Sequence, residues 1–148
     1  IRHRSFLGCT NLKSIRLSNN INSIGLNAFE NCTSLNKVLD LADRNRLTSF
    51  WADSFIGCTS IEELHFPRNC TSFASGLFKN CTNLKKVYIE SVIVNESTGV
   101  RSPINAANQN ILENCHPDLQ IFVPADLVNA YKTATNWSNY ADRFRPLP

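Results

Sequence analysis

Methionine is absent from the 148 residues, and no run approaches the roughly 18 consecutive apolar residues that a helix needs to cross a bilayer. Charge is sparse too. The 15 Lys+Arg stand against 12 Asp+Glu, and a net charge of +3 is too slight to predict nucleic-acid binding. The motifs of several enzyme classes are missing: there is no Gly-x-Ser-x-Gly, no phosphate-binding glycine loop and no His-Glu-x-x-His. Acidic residues are scattered, with no carboxylate pair forced onto one site. No Cys-x-x-Cys pair occurs, whereas a zinc site needs convergent ligands. The sequence therefore predicts no catalytic residue, no metal, no cofactor and no enzyme. An initiator Met and a signal peptide are also missing. The chain opens at Ile1 inside a repeat, which predicts upstream sequence that would carry any targeting information.

What is present is one phrase, repeated. Phe6-Leu-Gly-Cys9-Thr-Asn-Leu12 returns as Phe29-Glu-Asn-Cys32-Thr-Ser-Leu35, as Phe55-Ile-Gly-Cys58-Thr-Ser-Ile61 and as Phe78-Lys-Asn-Cys81-Thr-Asn-Leu84. A fifth, weaker copy is Leu112-Glu-Asn-Cys115-His-Pro-Asp-Leu119, and the cysteines are 23, 26, 23 and 34 residues apart. Such a period predicts a solenoid, in which each unit buries its apolar edge against its neighbours. At 43% hydrophobic and 18% charged residues, the composition suits a folded chain rather than a disordered one.

Counted from each cysteine, aliphatic residues recur three on (Leu12, Leu35, Ile61, Leu84), six on (Ile15, Val38, Leu64, Val87, Ile121) and eight on (Leu17, Phe66, Ile89, Val123). The alternation from six to eight is strand period. The second repeat breaks at Asp40-Leu41 and carries a three-residue insertion around Asp43-Arg44-Asn45, predicting a bulge or shift. The return of each unit supplies two inward residues: Ile21 and Ile24, Leu47 and Phe50, Cys70 and Phe73. Each unit thus reads as one short strand, a turn, an irregular return and a turn. Stacked units align their strands at about 4.8 Å into a parallel sheet, with the return as the crossover. The Phe6, Phe29, Phe55, Phe78 ladder is the largest predicted apolar contribution.

The Leu-x-x-Ile-x-Leu-x-x-Asn run at Leu12–Asn20 resembles a leucine-rich repeat. The 23-residue Phe-x-x-Cys-x-x-Leu form resembles the BspA-type leucine-rich repeats of surface and secreted proteins from host-associated bacteria and some protozoan parasites. The resemblance spans about residues 5–124. It implies a leucine-rich-repeat solenoid of the α/β class, a right-handed superhelix that is mostly β and irregular, with a curved parallel sheet on one face. About five repeats are expected over 1–124, the first incomplete, and a helical C-terminal cap over 125–148. The tail resembles the cap of bacterial members. Pro124 ends the last strand, Asp126 suits a helix N-terminus, and Leu127, Ala130, Tyr131 and Ala134 recur at helical spacing. Trp137, Tyr140 and Phe144 are expected to continue that face through a second short helix. The N-terminal end shows no comparable lid, so it is expected to pack on further repeats or on another chain. An insertion near 95–110 departs from the pattern. It reads either as a binding loop or as a tolerated excursion, and Val92, Ile93 and Val94 before it are expected to lengthen the fourth strand.

Five of the six cysteines share one repeat position, and Cys70 falls on another inward slot. Buried free thiols acting as small hydrophobes are the expectation. A bridge between ladder neighbours about 5 Å apart is the alternative, and a metal site is third. His3, His65 and His116 are the only histidines, and a Cys–His pair would need an accessible, activated thiolate that a ladder cysteine does not provide. Five Asn-x-Ser/Thr triplets, at Asn31, Asn69, Asn80, Asn95 and Asn136, come largely from the Asn-Cys-Thr of the repeat itself.

Seven residues after each cysteine, side chains should point off the sheet. That row reads Arg16, Leu39, His65, Tyr88, Phe122, and two positions earlier it reads Ser14, Lys37, Glu63, Lys86, Gln120. An apolar-aromatic stripe of Leu39, His65, Tyr88 and Phe122 beside mixed charge has the composition of an interface anchor. Against this, bulky residues simply suit strands. The functional expectation is a non-catalytic module that binds a protein or other surface macromolecule through this stripe, with no nucleic acid and no membrane span. The resemblance implies an extracellular or bacterial cell-surface location and a role in adhesion. The alternatives are a spacer that presents another domain and, last, a cysteine-dependent enzyme.

Overall fold

The computed structural model describes residues 1–39, 46–108 and 110–148, and of Val38 and Leu39 the backbone alone. The break at Asp40-Leu41 and the insertion at Asp43-Arg44-Asn45 lie outside the described residues. The chain winds through successive coils, each contributing one front strand. These are β1 (Ser14–Arg16), β3 (Lys37–Leu39), β5 (Glu63–Phe66), β7 (Lys86–Ile89) and β11 (Gln120–Val123). All their pairings are parallel, and residues at the same repeat position face one another: Ile15 with Val38, Leu64 with Val87, Val87 with Ile121. Among the described residues β1 pairs with β3, and β5, β7 and β11 pair in turn with a further strand beyond.

The return segments are more regular than expected. Two-residue strands β2 (Ser23–Ile24), β4 (Ser49–Phe50), β6 (Ser72–Phe73) and β10 (Asn105–Ala106) form a second ladder, with β2 paired to β4 and β6 to β10, all parallel. Ile24 and Phe73 are fully buried and Phe50 nearly so, and the turns between are polar. In β2, β4 and β6 one side chain of the two is buried, whereas in β10 Asn105 is exposed and Ala106 only half-buried.

Between the ladders lies the aromatic spine. Phe6, Phe29, Phe55 and Phe78 stack at centroid spacings of 5.0, 5.0 and 5.4 Å with nearly parallel rings. Phe29, Phe55 and Phe78 are fully buried, Phe6 is half-buried, and Leu112 takes the position in the fifth coil. The backbone follows: Phe29 N–H donates to Ser54 O at 2.8 Å, Phe55 N–H to Leu77 O at 3.1 Å and Phe78 N–H to Ile111 O at 3.0 Å.

The residue before each ladder cysteine is Gly8, Asn31, Gly57, Asn80 or Asn114, and every one has positive φ, from 57° to 72°. Only glycine, and asparagine at modest cost, enters that left-handed region readily, which explains the Gly/Asn alternation in the repeat. A Cβ on Gly57 would collide with the Asn31 side chain of the preceding coil, so this position cannot carry a side chain there without displacing a neighbour. In the next pair of coils Asn114 Nδ2 donates to Asn80 Oδ1 at 2.9 Å.

One expectation about the fourth coil is corrected. Ile93–Val94 does not lengthen β7. It forms β8, antiparallel to β9 (Arg101–Ser102), so the insertion opens with a hairpin that leaves the coil. Val94 and Val100 are exposed on it. A local antiparallel partner seven residues away forms at little loop-closure cost, whereas a longer β7 would need a partner from another coil.

The C-terminal segment closes the last coil. A 3-10 turn (Ala125–Leu127) leads into α1 (Val128–Thr133), and a second 3-10 stretch (Ser138–Arg143) follows. Phe144 does not lie in a second helix. It begins β12 (Phe144–Pro146), which pairs in parallel with β11 and completes the front sheet. Asp126 makes no helix-capping bond and instead pairs with Arg101 of the hairpin at 2.8 Å. Leu127, Tyr131, Trp137 and Phe144 are buried as a group, and Trp137 meets Phe73 edge-on at 5.2 Å. The cap side chains also answer the last coil's backbone. Ile104 N–H donates to the Tyr131 hydroxyl (3.1 Å), Leu112 N–H donates to the Tyr140 hydroxyl (3.2 Å), and Trp137 Nε1–H donates to Ile104 O (2.7 Å). Three aromatic side chains thus take the place of a further coil's amides and carbonyls.

Candidate functional site

The cysteines were the first candidates for chemistry. Cys32, Cys58, Cys70 and Cys81 are buried, all six are free, and no bridge forms. Two depart from the expected buried ladder: Cys9 is exposed and Cys115 half-buried, Cys115 lying under the cap rather than under another repeat. The ladder thiols are more than small hydrophobes. Each Sγ–H donates to the carbonyl of the phenylalanine one coil earlier, Cys32 to Phe6 and Cys58 to Phe29 (both 3.1 Å), Cys81 to Phe55 (3.2 Å) and Cys115 to Phe78 (3.3 Å). Cys70 does the same to Leu47 O at 3.1 Å. Burial pushes the Cys58, Cys70 and Cys115 thiols up to about 12, and raises Cys32 and Cys81 as well. A thiol so held stays protonated at neutral pH and is no nucleophile. Among the described residues no group of His, Cys, Asp and Glu is arranged to hold a metal ion.

The front sheet carries the other candidate. Its register sets Glu63, Lys86 and Gln120 side by side, and next to them His65, Tyr88 and Phe122. His65 stacks on Tyr88 at 4.4 Å with rings 7° apart, and Tyr88 stacks on Phe122 at 4.7 Å and 11°. The strand spacing alone brings the rings to stacking distance, because parallel strands in register repeat every ~4.8 Å. His65 is exposed, and Tyr88 and Phe122 are half-buried. Of the four stripe residues predicted, these three form one column. Leu39 pairs in register with Arg16 across β1–β3. The row also gains a member that repeat counting missed: Arg145 on β12 stands beside Phe122. No cysteine precedes it at the repeat offset, so only the pairing of β12 with β11 reveals it.

Beside the column some of the charges are paired, while Arg145 donates to the Asp142 and Phe144 carbonyls. His65 Nε2 lies 3.1 Å from Glu63 Oε1, and Lys86 Nζ lies 3.9 Å from Glu63 Oε2. Arg68 pairs with Glu90 at 2.5 Å. At the strand ends a groove of about 490 Å³ opens over His65 and Tyr88, with Glu90, Arg101, Pro124, Leu147 and Pro148 as its other walls. Arg101 comes from the hairpin, so the insertion borders the groove. Chemically the face offers ring edges, proline and leucine surface, and ion-paired rims, a combination suited to recognition rather than to bond making.

Parallel coils, an internal phenylalanine spine and a capped end define a leucine-rich-repeat solenoid. The family model for the BspA type leucine rich repeat region (6 copies) matches residues 1–100, and the chain belongs to that family. Repeat domains of this family are generally non-catalytic and suggest a protein-interaction module. No curated protein matches the chain. Among solved structures it is similar to the crystal structure of a leucine-rich repeat protein from Bacteroides ovatus, at 17% identity and a TM-score of 0.29, over 86% of this chain and 48% of that one. The chain thus spans about half the length of that protein. No helix among the described residues is long and apolar enough to cross a membrane.

Proposed function

We propose that this chain is a non-catalytic interaction module of a bacterial surface or secreted protein, and that it binds a protein partner in adhesion through the ring column of the front sheet. The single observation that carries the reading is the contiguous stack of His65, Tyr88 and Phe122, three accessible rings held in register beside mixed charge. Aromatic side chains lose little entropy on binding and dominate interface anchors, and a polar rim excludes water around them. The surface location and the adhesive role come from the family, whose members are associated with bacterial surfaces. Leu39, at the far end of the row, is the fourth proposed contact residue.

The test is a printed array of purified extracellular proteins, probed with the labelled chain and with a Tyr88→Ala/Phe122→Ala variant matched for thermal midpoint. Partners of the native chain should lose signal by about tenfold or more with the variant. If every partner is bound equally by both proteins, the face is not the binding surface.

A further inference from the structure

The last strand of a parallel ladder presents outward N–H and C=O groups, and a further strand, from a partner or from a second copy of this chain, can pair with them. Both ladders of this fold meet that situation at the C-terminal end. The front one ends on β12, and in the back pair β6–β10 the later strand is β10. Along a parallel strand, successive residues address opposite sides.

On β10, Asn105 N–H donates to Thr71 O and Ala107 N–H to Phe73 O, both at 2.9 Å, so Ile104 and Ala106 face outward. Side chains of the C-terminal segment meet them. Ile104 N–H donates to the Tyr131 hydroxyl at 3.1 Å, and Ile104 O accepts from Trp137 Nε1–H at 2.7 Å. Ala106 O accepts from Asn136 Nδ2 at 2.9 Å. Asn136 holds its place with a φ of 64°, a conformation that asparagine enters more readily than most residues.

On β12, Leu147 N–H donates inward to Val123 O at 2.8 Å, so Phe144 and Pro146 face outward. Pro146 has no N–H to offer. Phe144 O accepts from Arg145 Nη1 at 2.8 Å, and the same nitrogen donates to Asp142 O at 2.8 Å. The guanidinium thus folds over the edge that Phe144 would otherwise leave open. A joining strand would have to displace or desolvate that charge, and would meet no donor at position 146.

Closing the core does not require these contacts. Tyr131, Trp137 and Phe144 are buried and already fill the end of the last coil. Asn136 is half-buried, and Arg145 and Pro146 are exposed. What the three share is placement on the outward groups of an edge strand.

We propose that the C-terminal segment is a strand terminator. It blocks main-chain pairing at the ends of both ladders, so neither a second copy of this chain nor an extended segment of a partner adds to the sheet there. The inference is independent of the ring column as a binding face. Opening the front edge should create a self-association site.

The experiment is sedimentation of the whole chain over a wide concentration range, native against Arg145→Thr/Pro146→Thr. The control is Lys132→Thr, which removes an exposed positive charge from α1 and leaves both edges as they are. The mean mass of the double variant is expected to rise with concentration towards about twice the native value, reversibly on dilution, as paired edges form a two-fold dimer. Lys132→Thr should follow the native chain. If Pro146→Thr lowers the thermal midpoint, Arg145→Ser/Pro146→Ala carries the same expectation. Identical curves for the native chain and a folded double variant would overturn the assignment. So would equal association by Lys132→Thr, which would make lost charge rather than the opened edge the cause.

Discussion

At the scale of single residues, the repeat turns on two positions, the cysteine and the residue before it. The cysteine is small enough for the spine and carries the weak donor that the preceding coil's phenylalanine carbonyl needs. Alanine would fill the space and orphan the carbonyl, so Cys58→Ala is expected to cost about 1–3 kcal/mol in urea unfolding. Thiol titration of the native protein should find Cys9 reacting quickly and the buried thiols only on denaturation; a fast buried thiol would contradict the ladder. The raised thiols also set a pH dependence. Their ordinary value is 9.0, and for Cys58, Cys70 and Cys115 the folded value is about 12. The unfolded chain therefore loses these protons first. The stability they contribute is fully present below about pH 9 and is lost as pH rises towards 12, in the same direction as for buried Tyr131, raised from 10.0 to about 12. Urea midpoints measured at pH 7, 9 and 11 should decline only over the last interval. At the preceding position, Asn80 has φ of 62°, so Asn80→Ala is expected to cost about 1–2 kcal/mol, through backbone strain and the lost bond from Asn114.

At the scale of elements, the hairpin and the cap behave oppositely. The hairpin β8–β9 buries little, exposes Val94 and Val100, and is tied to the cap by an exposed ion pair, Arg101–Asp126. Replacing residues 95–100 by a two-residue turn should move the thermal midpoint by no more than a few degrees, since exposed pairs contribute at most about 1 kcal/mol. The cap is structural. Trp137 is buried against Phe73, Tyr131 and Phe144 and answers Ile104 O, so Trp137→Ala is expected to cost about 3–5 kcal/mol, read as a large fall in the urea midpoint. Apolar spacing made the cap legible as a lid. It did not reveal that Phe144 belongs to a strand, because Phe144-Arg-Pro is too short to show a period and its partner, β11, lies twenty-odd residues earlier. The hairpin was hidden for a related reason: an apolar Val92-Ile-Val94 run reads alike whether it extends a strand or starts a new one.

At the scale of the molecule, position along the coil sets what a substitution costs. Phe55 stacks between Phe29 and Phe78 with no exposed surface, while Phe6 at the first coil is half-buried and stacks on one side only. Phe55→Ala should cost about 3–5 kcal/mol and Phe6→Ala clearly less, although the two occupy the same repeat position. Equal losses in the two unfolding curves would show that burial along the spine is more uniform than the geometry indicates. Much of this architecture was determined by the sequence alone. Phenylalanine, cysteine and aliphatic residues at fixed offsets meet the same surroundings in every coil, so the repeat itself encodes the fold, the spine and the row from which His65, Tyr88 and Phe122 project. Tertiary structure alone decided what the repeat does not encode: that Cys115 is only half-buried, that Arg145 joins the row, and that the hairpin and tail wall a groove beside the rings. Each of these depends on which coil or segment lies next to which, a neighbour relation that a period within one coil cannot express.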